Sequence, residues 1–172
     1  MPFLVRKVER AKWAQNDLSN GDPVSADAIT NCMKTRDNSL SVWEIEESED
    51  LEKAVLAIAS DGRHIDTMDF VILKLDDLEN KRIEVSSEPA STPVSEFNSN
   101  HRNILKLNYG SLGTVAELIA KEHICGSVHR FTHGRLVQML ASAAASGLLS
   151  VDDLRFSDKK KEKIRKQIAS FE

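Results

Sequence analysis

Met68-Asp69-Phe70-Val71-Ile72-Leu73 decides the fold. Four consecutive apolar residues, two of them β-branched, are too few for a membrane span or a long helix. They leave no face for water, so the run predicts a central strand covered on both sides. Downstream, Asp76–Lys81 predicts a short helix leading into a weak strand, Arg82-Ile83-Glu84-Val85. Upstream, Ser48 is placed to cap a helix through Ser60, with Glu49, Asp50 and Glu52 crowding its positive end and Asp61-Gly62 closing it. Its apolar stripe is Leu51, Val55, Leu56, Ile58 and Ala59. Leu40–Glu46 alternates as a strand, with Leu40 and Val42 out of phase with Trp43 and Ile45. Ser25 opens a helix carrying Ala28, Ile29, Cys32 and Met33 on one face, separated from that strand by the turn Arg36-Asp37-Asn38-Ser39. Phe3–Val8 has strand character, and the residues on to Trp13 read as its extension.

After the stretch Ser86-Ser87-Glu88-Pro89-Ala90-Ser91-Thr92-Pro93, the pattern reads as helical throughout. Thr92 before Pro93 has the form of a helix start, and Thr114-Val115-Ala116-Glu117 that of a capping box. Thr132 opens a helix ending at Gly147, and Ser150 and Ser157 precede short helical runs. The expected fold is therefore α+β: a small three- to four-stranded sheet with helices, followed by a helical C-terminal part. Residues 1–86 form an acidic α/β part and residues 87–172 a helical, basic part, joined through the Ser/Pro-bearing connection into one compact unit.

Charge separates the two parts. Residues 1–100 carry 11 Lys and Arg against 20 Asp and Glu, whereas residues 101–172 carry 12 against 7 and four of the five histidines. Such a chain either holds its parts against each other or presents opposite-signed faces to partners. The length of 172 residues suffices for a core without disulfide or metal, and two distant cysteines, Cys32 and Cys125, suit free thiols in a reducing compartment. No apolar run approaches the ~20 residues of a bilayer span, and the N-terminus lacks the order of a secretory signal. The expectation is a cytoplasmic protein with no membrane association.

Two surfaces stand out as macromolecule-binding candidates. Glu44, Glu46, Glu47, Glu49, Asp50 and Glu52 place six carboxylates in nine residues. In the terminal segment, Lys159, Lys160, Lys161, Lys163, Arg165 and Lys166 surround an apolar stripe of Ile164, Ile168 and Phe171. That stripe favours docking onto the chain's own core, because the aromatics needed to stack bases are not spread along the basic face. His123-Ile124-Cys125-Gly126-Ser127-Val128-His129 and the nearby His133 offer metal-ligand types, Cys125, His129 and His133 above all, but Gly126 and Thr132 break the helix that would align them. Asp61, Arg63, His64, Asp66 and Asp69 precede the central strand, with Lys74 at its far end and on the opposite face from Asp69. Gly110-Ser111-Leu112-Gly113-Thr114 lacks the lysine and spacing of a phosphate-binding loop, and Ala141–Ser146 is a small-residue packing segment.

No motif specifies a reaction, a cofactor or a metal. The expected function is a non-enzymatic interaction or regulatory protein, immunity-like or defence-accessory by analogy, that binds another macromolecule, foremost a protein, through opposite-charged surfaces. The alternatives are a metal-dependent enzyme acting on nucleic acid, using Asp61, Asp66 and Asp69 or the histidine loop, and a nucleic-acid-binding module built on the C-terminal helices.

Overall fold

The structure, a computed structural model, describes residues 2–171, with the side chain of Glu49 also outside the described set. It is α+β. The strands are β1 (Phe3–Val8), β2 (Leu40–Ile45), β3 (Met68–Lys74), β4 (Val85–Ser87), β5 (His101–Ile104) and β6 (His129–Phe131). The helices are α1 (Arg10–Trp13), α2 (Ala26–Cys32), α3 (Leu51–Asp61), α4 (Leu75–Asn80), α5 (Tyr109–Ile124), α6 (His133–Ala145) and α7 (Asp158–Ala169). The strands form one antiparallel sheet in the order β4-β5-β2-β1-β3-β6. No described helix is long and apolar enough to cross a membrane.

Helices cover both faces of this sheet. Val5, Trp43, Ile45, Met68, Phe70 and Phe131 point to one side, where α3, α6 and α7 supply Val55, Leu136, Leu140 and Ile164. Leu4, Val8, Leu40, Val42, Val71, Leu73 and Ile104 point to the other, where α2, α4 and α5 supply Cys32, Leu78, Val115 and Ile119. The out-of-phase apolar pairs of β2 therefore belong to two cores. The same holds for β3, whose near-continuous apolar run is that of a doubly covered strand even though every pairing is antiparallel.

The sheet has six strands rather than three or four, and the C-terminal part is not helical throughout: β5 and β6 both come from beyond the Ser/Pro stretch. The reason is visible in their sequences. β5, His101-Arg102-Asn103-Ile104, has only one fully buried apolar residue, Ile104. β6 has three residues with Phe131 alone buried. Each is a strand because a neighbouring ladder accepts its backbone, an effect of tertiary context on short polar segments. β4 likewise lies at Val85–Ser87, later than the Arg82–Val85 expectation.

Local chemistry corrects several boundaries. The residues after Val8 turn into α1 instead of extending the strand. Thr92 starts no α-helix: its hydroxyl and N–H both bind the Asn98 side chain, and a 3-10 turn follows at Ser95–Asn100. The cap of α5 is Asn108, whose side chain accepts the N–H groups of Gly110 and Ser111, so Thr114 lies inside the helix. Ser25 and Thr132 cap α2 and α6 as their sequences indicate. Asp37 and Asn38 both take positive φ, 52° and 56°, in the turn that launches β2.

Ile72 is only partly buried, whereas Phe70 has no exposed surface. Chemical denaturation should therefore show Phe70→Ala losing about 3–5 kcal/mol, with Ile72→Ala losing less than ~2 kcal/mol. Equal costs would contradict the burial assigned to β3.

Candidate functional site

The basic C-terminal helix is docked, and its docking leaves one set of charges uncompensated. Ile164 is fully buried, Ile168 packs against the same core from a half-buried position, and Phe171 at the end of the chain is 45% exposed. Arg165 binds Asp152 at 2.6 Å, Lys166 binds Glu162 at 2.9 Å, and Lys161 donates to the Asp152 carbonyl at 2.8 Å. Lys159, Lys160, Lys161 and Lys163 have no carboxylate partner among the described residues. Two of them meet histidines instead: Lys160 Nζ lies 3.0 Å from His64 Nδ1, and Lys163 Nζ lies 2.7 Å from His133 Nε2.

The His133 tautomer follows from its contacts. Its Nδ1 is 2.5 Å from the Ile65 carbonyl, which can only accept, so Nδ1 carries the proton and Nε2 accepts from the Lys163 ammonium. The pairs Lys160–His64 and Lys163–His133 thus stitch α7 to the loop before β3 and to the first turn of α6. Arg63, next to His64, is exposed. The lysines of α7 therefore rest against side chains of two other elements that are far away in the chain.

The acidic cluster is partly consumed inside the fold. Glu44 accepts from Arg102 at 3.0 and 3.2 Å, Asp50 pairs with Lys53 at 2.6 Å, and Glu52 pairs with Arg135 at 2.5 Å. Glu46 and Glu47 are exposed. The ion pairs Glu44–Arg102, Asp69–Arg130, Glu52–Arg135, Asp61–Arg155 and Glu84–Lys106 all join an acid of the first hundred residues to a base beyond them. The charge asymmetry of the sequence is spent in part on holding the chain together.

The remaining sequence candidates are dispersed. Cys125 is exposed at the end of α5, His129 is exposed on β6, and both nitrogens of His133 are engaged. Gly126, at φ 74°, ends α5 and turns the chain away from a common helical face. No group of three or more His, Cys, Asp or Glu able to hold a metal ion occurs among the described residues. Asp61 pairs with Arg155 at 3.2 Å, and Asp69 is nearly buried with Arg130 at 3.7 Å as its nearest cation. Gly110–Thr114 lies in α5, where the Asn108 side chain occupies the Gly110 and Ser111 N–H groups instead of leaving them to an anion.

One constellation escaped the sequence. At the end of the sheet where β1 finishes and β2 starts, a cleft of about 780 Å³ is lined by Lys7, Ser41, Trp43, Ile58, Thr92 and His101, among others. Ser41 Oγ is 2.7 Å from His101 Nε2, and His101 Nδ1 is 2.5 Å from the Glu88 carbonyl. The Trp43 ring meets the imidazole edge-on at 5.3 Å and 70°. Serine and histidine lie 60 residues apart, with no motif around either. The only local signal is the phase of Ser41, which shares the side of β2 occupied by Trp43.

Comparison with family models, with known protein sequences and with solved structures gave no match.

Two measurements check this description. Ile164→Ala should destabilise the fold by about 2–5 kcal/mol, while Lys159→Glu with Lys163→Glu should leave the denaturation midpoint almost unchanged. A reversal of that order would mean that charge, not the apolar stripe, seats α7. The second check is His123, whose ring Nε2 is buried without a hydrogen-bond partner. Its pKa is lowered by burial first and by the Arg10 guanidinium second. The unfolded chain therefore takes up this proton at a higher pH than the folded one. Stability should fall as pH drops through the ordinary histidine range, and His123→Gln should flatten that part of the melting-temperature profile. An unaltered profile in the variant would assign the acid sensitivity elsewhere.

Proposed function

We propose that this protein is an interaction protein that captures an acidic protein partner on the surface formed by α7, the loop around His64 and the first turn of α6. The observation that supports this reading is the set Lys159, Lys160, Lys161 and Lys163, held on a helix anchored by Ile164 and lacking carboxylate partners. Lys160, Lys161 and Lys163 are each held by a contact within the fold, so they lose less conformational freedom when a partner arrives, which favours electrostatic capture. The four lysines lie within about the first turn and a half of α7, and the exposed Arg63 is the neighbour of His64, which Lys160 meets.

An acidic protein fits better than nucleic acid. Phe156 is buried and Phe171 lies beyond α7, so no described aromatic of this segment stands among the lysines. The exposed Glu46 and Glu47 and a net charge of −4 also oppose a long polyanion passing over the whole molecule.

Fluorescence anisotropy with a labelled oligoglutamate peptide and with a short DNA duplex tests the reading. The peptide should bind, weaken with added salt, and lose at least tenfold in affinity in the triple variant Lys159→Glu, Lys160→Glu, Lys163→Glu. Tighter binding of the duplex, with a salt slope that reports several neutralised phosphates, would replace the proposal with the nucleic-acid reading. Equal behaviour of the triple variant and the native chain would sink it.

A further inference from the structure

We infer that Ser41 is a nucleophile activated by His101, in a cleft that accepts a small carboxylic ester. Three groups stand in the order this chemistry needs. The Glu88 carbonyl accepts only, so the His101 Nδ1 at 2.5 Å must be protonated. In the neutral ring, Nε2 then has a free lone pair, and the Ser41 hydroxyl at 2.7 Å donates into it. Nucleophile, base and orienting acceptor are thereby aligned in the ground state, with a main-chain carbonyl in the place where a carboxylate often stands.

The surroundings hold this alignment. The Glu88 N–H donates back to the His101 carbonyl at 3.3 Å, so the histidine is tied to the same residue through main chain and ring. Trp43 packs edge-on against the ring and limits its rotation. On the opposite face of the sheet, Arg6 donates to the Ser41 carbonyl at 2.7 Å and to the Cys32 carbonyl at 2.6 and 3.1 Å, fixing the start of β2. Ser41 itself is exposed to the cleft.

The cleft supplies the remaining requirements. Val5 pairs with Trp43, so Lys7, two residues after Val5, and Ser41, two residues before Trp43, emerge on the same sheet face of neighbouring antiparallel strands. The Lys7 side chain is exposed and makes no ion pair or hydrogen bond among the described residues, which leaves its ammonium free to meet an oxyanion. Ile58 and Ala90, both partly exposed, line the same cleft and offer apolar surface to an acyl chain.

The step balances without a co-reactant other than water. Ser41 Oγ bonds to the ester carbonyl carbon while its proton passes to His101 Nε2. The carbon–oxygen bond to the alcohol breaks, and the leaving alkoxide takes that proton. Water then attacks the acyl-serine with His101 again as base, releasing the carboxylic acid and restoring the hydroxyl.

This inference is independent of the binding surface on α7. The full chain is incubated with a fluorophosphonate probe, and the modified peptide is identified by mass spectrometry. The expected result is one adduct, on Ser41, absent in Ser41→Ala and formed about a hundredfold more slowly in His101→Gln. Hydrolysis of p-nitrophenyl acetate should fall in parallel. If His101→Gln does not fold, the native chain decides: labelling that vanishes in denaturing urea requires the folded pair, and labelling that persists overturns it. No adduct, adducts spread evenly over exposed serines, or an unchanged rate in a folded His101→Gln also overturns the inference.

Discussion

Burial of both faces of the sheet is the constraint from which the rest of the structure follows. β1 pairs with β3 along its full length, and each strand must satisfy one core with its odd residues and another with its even ones. Several polar side chains gather where the two cores end. They are found at the end of β1 and β2, where Lys7, Ser41 and His101 meet the cleft, and at the β6 edge, where α6 and α7 bring in His133 and the lysines. Both proposed sites border these cores: the cleft is lined by Val5, Trp43 and Ala57, and α7 is anchored by Ile164.

The same constraint explains which parts were legible in the sequence. Phe70-Val71-Ile72-Leu73 and the interleaved Leu40/Val42 and Trp43/Ile45 announce double coverage through composition alone, and the caps at Ser25 and Thr132 carry their own local chemistry. β5 and β6 have no such signature. Arg102 and Asn103 are strand residues because β2 and β4 flank them, and Arg102 is stabilised by Glu44 from 58 positions away. Asn108 out-competes Thr114 as a cap because its side chain reaches two N–H groups where the helix actually begins. The Ser41–His101 pair was invisible for a related reason: it depends on two strands that are neighbours in space and remote in the chain.

Charge tells a parallel story. A linear reading sees an acidic half and a basic half, but the antiparallel sheet interleaves them, placing β5 beside β2 and β6 beside β3. Glu44 and Asp69 thereby meet Arg102 and Arg130 across adjacent strands, while Glu52 and Asp61 meet Arg135 and Arg155 across the helical layer. Most of these pairs are solvent-exposed and contribute little individually. Glu44–Arg102, bidentate and less exposed, is the one with geometry suited to a stronger contribution. Among the described residues beyond position 100, the bases left without a carboxylate partner are Lys121 and the α7 residues Lys159, Lys160, Lys161 and Lys163, a narrower set than the composition implied.

Arg6 shows how closely the fold and the cleft are joined. Its guanidinium is buried enough to lower its pKa to about 10, yet it stays charged at neutral pH because three hydrogen bonds to the Cys32 and Ser41 carbonyls replace water. Those carbonyls lie at the C-terminal end of α2 and at the start of β2, outside the β1 ladder, where each needs a donor. A planar group with several fixed donors can serve both at once, which a lysine ammonium cannot reproduce in the same geometry. The half-buried charge is thus an answer to a backbone problem created by ending a helix beside a strand. Its by-product is that the strand carrying Ser41 is held rigidly at the mouth of the cleft, with the serine hydroxyl presented to His101 from the other side.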